Sequence, residues 1–191
     1  MNTPAHLIFG AAAFARPDRP YVTTAAIFGG LLPDLSLYLL VGWAMLRGID
    51  ARVIFGEMYF SDAWQSVFAV DNSILLWGVA LAVGLWRRWP VLVAFAGAGL
   101  LHLVFDFALH HDDARRHFWP LSNWVFQSPF SYWDRAHYGS LIGPMEIVAC
   151  LVLSWVLWRR FKSLPARGMI VAAMLAEALP GIMFAVMFAA P

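Results

Sequence analysis

The sequence predicts an all-α integral membrane protein, a bundle of about five to six hydrophobic helices in a single domain over residues 1–191. Two observations predict this class. Of the 191 residues, 61% are hydrophobic and 13% are charged, whereas a soluble domain carries about 25% charged residues. Apolar stretches near 20 residues also recur along the chain, and a helix of that length crosses the ~30 Å hydrocarbon core. The lipid bilayer is therefore an expected partner.

Six apolar stretches account for the predicted helices. The first is too short to cross the core, so we expect it to insert halfway; a cleaved signal peptide is the alternative, but no Lys or Arg precedes this stretch. The second is long enough but contains Pro33 and Asp34, which predicts a broken helix with freed backbone groups. The other four each match one span. In chain order the stretches are 3–15, 22–46, 67–86, 91–109, 140–158 and 169–189.

The distribution of basic residues predicts the orientation of the bundle. Eight Lys and Arg residues lie in the first, third and fifth connections, and five lie in the other two. The positive-inside rule places the first group in the cytoplasm of a multi-pass inner-membrane protein. The connection over residues 110–139 then lies outside, where its aromatic residues and prolines predict an ordered cap. We expect Arg115 and Arg116 to lie at the solvated rim of this cap.

Two functional classes receive no support from the sequence. All basic residues except Lys162 are arginines dispersed in ones and twos, which argues against the basic stripe that nucleic-acid binding requires. Cys150 is the single cysteine, so no internal disulfide can form. It lies in mid-span with no His nearby in sequence, which argues against a role as catalytic nucleophile.

Ionisable side chains inside apolar stretches are the main functional signal. Asp34 lies in mid-span, where a carboxylate costs ~2.5–3.5 kcal/mol on insertion scales. His102, Asp106 and His110 are four residues apart, so they share one helix face, where His and Asp can bind a metal together or orient one another. The predicted topology places five further ionisable residues towards the outer side of the membrane: His6, Asp71, His102, Asp106 and Glu146. Asp34, near mid-depth, lies within reach of them.

These residues also have structural interpretations. For His102 and Asp106 the alternative is plain helix packing, but the cost of burying both favours metal binding or catalysis. We assign Glu177 a structural role, because Pro180 and Gly181 beside it predict a kink with freed carbonyls.

An ordered set of short motifs resembles the membrane-bound metal-dependent hydrolase family of the YdjM (LexA-regulated) type. The resemblance covers most of the chain up to Ser122. It implies that His6, Asp34, His102 and Asp106 occupy the metal-site positions of the family. The motifs are Thr3-Pro4-Ala5-His6 with Gly10, Gly29-Gly30-Leu31-Leu32-Pro33-Asp34, His102-Leu103-Val104-Phe105-Asp106 and Trp119-Pro120-Leu121-Ser122.

The chain departs from the family pattern at two places. Ser36 replaces the second acid of Pro-Asp-x-Asp, and Asn72 stands where a second His is expected in His-Arg-Gly-x-Thr-His-Ser. Two or three ligands are therefore lost or changed. Either the His-rich stretch over residues 110–117 compensates, or the active metal is gone.

The leading hypothesis is a metal-dependent hydrolase that acts on a lipid or lipid-linked phosphoester or ester through a metal-activated water. His6, Asp34, His102 and Asp106 are the expected ligands of a divalent metal, and Asp71 or Glu146 is the expected base. Zinc suits the His/Asp mixture, and carboxylate-rich ligation also suits manganese or magnesium. The alternative is a non-enzymatic membrane protein, either an ion-handling bundle or an accessory subunit with a membrane-protein partner, which the altered motifs favour.

Overall fold

The computed structural model describes residues 1–188, with side chains described up to residue 179. The described chain is helical and has no strand, which confirms the predicted helical bundle. The elements in chain order are α1 (Thr3–Phe14), α2 (Pro20–Leu46), the one-turn α3 (Ala51–Val53) with a π-helical turn (Ile54–Met58), α4 (Asp62–Asp71), α5 (Ile74–Trp86), α6 (Pro90–Leu109), a 3-10 turn (Arg135–His137), α7 (Gly139–Arg160) and α8 (Leu164–Phe188).

Among the residues that the structure describes, four helical segments are long and apolar enough to cross a membrane. The chain is accordingly a membrane protein. Helix α1 has 12 residues and is shorter than a span, as its sequence predicts. The predicted stretch 169–189 falls in α8, but its last residue and the side chains of Pro180 and Gly181 lie outside the described part. The four segments are Pro20–Leu46, Asp62–Trp86, Pro90–Leu109 and Gly139–Arg160.

Helix α1 is the centre of the bundle, because it packs against α2, α6, α7 and α8. Two glycines of α2 allow this close packing. A Cβ atom on Gly29 would lie 2.0 Å from the carbonyl oxygen of Phe95 in α6, and one on Gly30 would lie 3.0 Å from the carbonyl oxygen of His6 in α1. Small residues at helix interfaces let backbones approach in this way. The contacts bring the start of α1 against the middle of α2.

The prediction of a broken second helix is wrong, because α2 continues without interruption through Pro33. Pro33 lacks the N–H that would bond the carbonyl oxygen of Gly29, so the helix loses one hydrogen bond there and is held through neighbouring carbonyls instead. Side chains from other helices supply hydrogen bonds on both sides of Pro33. Nδ1 of His102 lies 2.8 Å from the carbonyl oxygen of Gly30, and Nδ2 of Asn72 donates to the carbonyl oxygen of Pro33 at 3.1 Å.

The long connection between α6 and α7 is ordered, as predicted. Its backbone is tied to the end of α6 by Ser128, whose N–H donates to the carbonyl oxygen of His110 at 3.0 Å. It is tied to α5 by His117, whose carbonyl oxygen accepts from the N–H of Ile74 at 3.0 Å. The connection therefore covers the end of the bundle where α1 begins and α6 ends. We call this the polar end.

Arg115 corrects one expectation for this connection. The residue is 6% exposed, and its guanidinium lies 4.3 Å from the ring centroid of Phe68 and 4.9 Å from that of Tyr59. The two aromatic faces hold the cation by cation–π attraction, so Arg115 does not lie at a solvated rim. Its neighbour Arg116 pairs with the exposed Asp62 at 3.1 Å.

The opposite end of the bundle carries the basic residues of the first, third and fifth connections, and we call it the basic end. Arg16, Arg19 and Arg88 line one surface depression, so the connections after α1 and α5 lie side by side. Nη1 of Arg160, at the end of α7, donates to the carbonyl oxygen of Ala12 in α1 at 2.8 Å. The three connections that the sequence groups by charge therefore share one end of the molecule.

Candidate metal centre

Three buried side chains from α1 and α6 meet at the polar end. His6, His102 and Asp106 are each at most 3% exposed, and one potential ligand atom from each lies within 4.8 Å of the others. Nε2 of His6 lies 2.9 Å from Oδ1 of Asp106, and Nε2 of His102 lies 3.0 Å from Oδ2. The carboxylate is therefore flanked by two imidazoles, one on each oxygen.

The ring of His6 is held by stacking. Neither of its nitrogens has a hydrogen bond to a described residue, although Nε2 is so close to Asp106. The ring stacks on His102 with centroids 3.5 Å apart and planes 9° apart. Buried polar atoms normally have a partner. Because the two rings are nearly parallel, their Nε2 lone pairs do not converge on one point, so a shared ion would require one ring to turn from this stacked position.

The orientation of His102 is fixed by the backbone of α2. Its Nδ1–H donates a hydrogen bond to the carbonyl oxygen of Gly30. The neutral ring therefore presents the lone pair of Nε2 to the cluster. Metal-binding histidines are commonly oriented in this way, by a hydrogen bond from the nitrogen that faces away from the metal. The Gly29-Gly30 pair thus contributes both the space for α1 and the acceptor for His102.

Asp34 borders the cluster on its more open side. Its Oδ1 lies 3.7 Å from Nε2 of His102, and its side chain is 15% exposed. Its Oδ2 accepts a hydrogen bond of 2.5 Å from Thr3, whose Oγ1 in turn accepts from the hydroxyl of Tyr38 at 2.8 Å. Of the four predicted ligands, Asp34 is the one that solvent reaches most easily.

A second layer of contacts surrounds Asp106. Nε2 of His110 lies 3.1 Å from Oδ1 of Asp106, and the Met1 amino group lies 3.4 Å from the same oxygen. Nδ1 of His110 lies 2.9 Å from Oδ2 of Asp113, which accepts a hydrogen bond from the indole of Trp133 at 3.2 Å. The spacing of His110 from Asp106 is visible in the sequence. The role of Asp113, three residues after His110, was not predicted.

The electrostatics of this layer follow from its charges. Burial acts to lower the pKa of His110, but the nearby Asp106 carboxylate outweighs burial and raises the pKa above its ordinary value. Burial acts to raise the pKa of Asp113, and the contact with His110 outweighs burial and lowers it. Each shift therefore favours the charged form of its group, an imidazolium on His110 and a carboxylate on Asp113. It connects the polar end to the ordered connection.

The two predicted catalytic carboxylates, Asp71 and Glu146, lie outside the cluster of His6, His102 and Asp106. Oε1 of Glu146 accepts from the backbone N–H of Asn2 at 2.8 Å, and the Asn2 side chain donates to Oε1 of Glu177 at 3.3 Å. Both glutamates are buried on the α7–α8 side of α1, and each has an Oε2 without a hydrogen bond to a described residue. Asp71 lies at the end of α4, near Ser36 and Arg115.

The residues that depart from the family pattern have structural contacts. Asn72 is 1% exposed, and its side-chain amide donates to the carbonyl oxygens of Pro33 and Phe68. It therefore supports the continuous helix α2. Oγ of Ser36 is shielded from solvent and lies beside the carboxylate of Asp71. His117, in the His-rich stretch, lies beside the backbone carbonyl of Asn72 at 3.1 Å.

The donor set fits a divalent metal. Tetrahedral zinc with ligands at ~2.1 Å separates its ligand atoms by about 3.4 Å. The separations here, 2.9 Å and 3.0 Å to Asp106 and 3.7 Å between His102 and Asp34, lie on both sides of that value. Two imidazoles with two carboxylates suit zinc, and a higher share of oxygen ligands also suits manganese. His6, His102, Asp106 and Asp34 are the residues that would hold the ion.

Fold and cluster together define the class of this molecule: a helical membrane protein with a buried histidine–carboxylate cluster at one end. No protein-family model matches the chain, and neither does any curated protein or solved structure. The relationship to the YdjM-type hydrolases therefore stays a prediction from its motifs.

Proposed function

We propose that this protein is a metal-dependent hydrolase of the inner membrane that acts on a lipid or lipid-linked phosphoester or ester. The observation that supports the proposal is the geometry around Asp106. Two stacked, buried histidines from different helices approach its two oxygens, and the His6 ring has no hydrogen bond to a described residue. Such a donor set in a membrane interior is costly unless a cation compensates the charge.

A divalent metal held by these residues would act as a Lewis acid. It would lower the pKa of a bound water and polarise a phosphoryl or acyl group. The protein itself supplies orientation. Gly30 fixes the tautomer of His102, and His110 with Asp113 fixes the carboxylate of Asp106. Asp34, the more open carboxylate, marks the side from which substrate approaches.

Glu146 is the preferred base of the two candidates. Its Oε2 has no hydrogen bond to a described residue, and its Oε1 is held by Asn2, which follows the residue that contacts Asp106. Asp71 has no comparable connection to the cluster and contacts the Ser36 region instead. Glu146 is therefore assigned to proton transfer, and Asp71 becomes the matched control carboxylate.

The surroundings of the site support a lipidic substrate and the proposed orientation. The cluster lies at the end of helices whose outer faces carry exposed apolar side chains, such as Leu141, Met145 and Val148 along α7. An apolar substrate can approach Asp34 along the bilayer, because Leu39 in the same helix is also exposed. Because the basic end lies opposite the site, the positive-inside rule places the cluster at the outer leaflet.

Metal analysis and a hydrolysis assay on purified protein test the proposal. Detergent-purified protein loaded with zinc or manganese should hold about one metal per chain and release the headgroup from lipid phosphoesters or esters. His102→Ala should remove both properties. Glu146→Gln should retain metal and lose most of the hydrolysis, typically 10²–10⁴-fold for an acid–base residue, whereas Asp71→Asn should retain both. Full hydrolysis by metal-free protein would refute the proposal.

One observation favours the alternative of a non-enzymatic membrane protein. Asp106 already lies within 3.4 Å of His6, His102, His110 and the Met1 amino group. Protonated imidazole or ammonium groups at these distances would satisfy a buried carboxylate without an ion, and the cluster would then act as a polar core that fixes helix packing. Stable protein without metal, and persistent co-purification with a membrane-protein partner, would favour this alternative.

A further inference from the structure

An apolar groove runs along α1, between α2, α7 and α8. Its volume is about 320 Å³. It begins at Leu7 and Ile8, directly after His6, and reaches Ala15 at the end of α1. Small side chains on facing helices leave the space, among them Ala11 in α1 and Ala173 in α8.

The lining of the groove has almost no exposed polar group. Its one hydroxyl, on Thr23, donates to the carbonyl oxygen of Arg16 at 2.7 Å and accepts from the same residue's N–H at 2.9 Å. A polar ligand would therefore find no hydrogen-bond partner inside the groove. An elongated hydrocarbon chain suits this lining, because it needs none.

Positive charge surrounds the mouth of the groove at the basic end. Three lining residues, Ala15, Phe161 and Ala166, each have a basic neighbour in the sequence. Lys162 is exposed and forms no ion pair with a described residue. The basic residues around the mouth are Arg16, Arg160, Lys162 and Arg167.

Two of these arginines are held in place by the bundle. Nη1 of Arg160 bonds the carbonyl oxygens at the end of α1, 2.8 Å from that of Ala12 and 3.2 Å from that of Ala15. Nε of Arg167 donates to the carbonyl oxygen of Phe161 at 3.3 Å, and its guanidinium lies 4.6 Å from the ring centroid of Trp158. Each guanidinium keeps further N–H donors for an anion. The mouth is therefore a preorganised cationic site.

We infer that this groove binds an anionic phospholipid, with one acyl chain between α1, α7 and α8 and the phosphate headgroup on the basic residues at the mouth. Hydrocarbon lining below and several cations above match the two parts of such a lipid. Basic pockets between membrane helices recognise acidic headgroups in this manner. The headgroup lies at the opposite end from the metal centre, and the inference does not depend on the proposed hydrolysis.

Native mass spectrometry of the full chain in a non-ionic detergent tests this inference, with phosphatidylglycerol and phosphatidylcholine of matched acyl chains as probes. We expect phosphatidylglycerol to be retained preferentially. The double substitution Lys162→Gln and Arg167→Gln should weaken that binding about 30-fold, because each of the two basic groups contributes about 1 kcal/mol at an anionic surface. Arg47→Gln with Arg52→Gln removes the same charge at the polar end and should have no effect.

A second pair of variants tests the acyl chain. Ala173→Leu and Ala11→Leu fill the groove without changing its charge, and either should reduce phosphatidylglycerol binding. Thermal unfolding identifies a variant that fails to fold, in which case the other alanine provides the test. Equal retention of both lipids would overturn the inference. So would loss of binding in the charge variant with full retention in folded, groove-filled variants, because the headgroup alone would then account for binding.

Discussion

The imidazole rings of His6 and His102 stack at a centroid distance of 3.5 Å, and each places Nε2 within 3.0 Å of a different oxygen of Asp106. The two histidines come from α1 and α6, which are separated by about half of the chain. Their contact depends on Gly30. Its lack of a side chain lets α1 pack closely against α2, and its carbonyl oxygen accepts a hydrogen bond from Nδ1 of His102. The cluster is therefore a product of helix packing as much as of its own side chains.

Metal binding should respond non-additively to the loss of two carboxylates. Asp106→Asn alone should remove most of the bound metal, and adding Asp34→Asn should cost little more, because a centre that lacks one ligand is already largely lost. Metal content per chain after purification is the measurement. Asp112→Asn, an exposed carboxylate 66% open to solvent, is the control and should leave metal content unchanged. Small and independent effects of the two substitutions would argue against a shared centre.

Two glycines of α2, one at a helix interface and one away from it, predict opposite effects of the same substitution. Gly29→Ala places a Cβ 2.0 Å from the Phe95 carbonyl oxygen, and we expect a loss of about 1–3 kcal/mol in stability from overpacking. Gly42, in the same helix, has nothing within 4 Å of a built Cβ. Gly42→Ala should therefore gain roughly 0.5–1 kcal/mol through helix propensity. Thermal unfolding in detergent measures both, and equal midpoints for the two variants would contradict the packing described.

Acid should destabilise the protein through His117. Burial lowers the pKa of His117 in the folded state, and the residue is 2% exposed. Because the folded pKa lies below the unfolded value near 6.5, the stabilising contribution is complete above that value and is lost as the pH falls below it. The thermal unfolding midpoint should drop between pH 7 and pH 5. His117→Gln, which does not titrate, should flatten that dependence, and an unchanged slope would show that His117 is not responsible.

Labelling of single cysteines tests the proposed orientation. In a Cys150→Ala background, a cysteine at Ser163 should be labelled from the cytoplasm and one at Ala114 from the outside, because basic residues gather at the end that holds Ser163. A membrane-impermeant thiol reagent applied to intact cells and to inverted vesicles distinguishes the two sides. If both cysteines react from the same side, the proposed topology is wrong.

The sequence by itself determined the membrane class and the helical bundle, because apolar stretches of span length and scarce charges leave no soluble alternative. It also indicated the pairing of His102 with Asp106, since a spacing of four residues places two side chains on one helix face. Only the tertiary structure decided that α2 continues through Pro33, because the compensating groups, on Asn72 and His102, come from other helices. Likewise the stacking of His6 on His102, the burial of Arg115 on aromatic rings and the separation of Asp71 from the cluster depend on contacts between residues distant in the chain. Periodicity within one helix carries no information about which face of a neighbouring helix it meets.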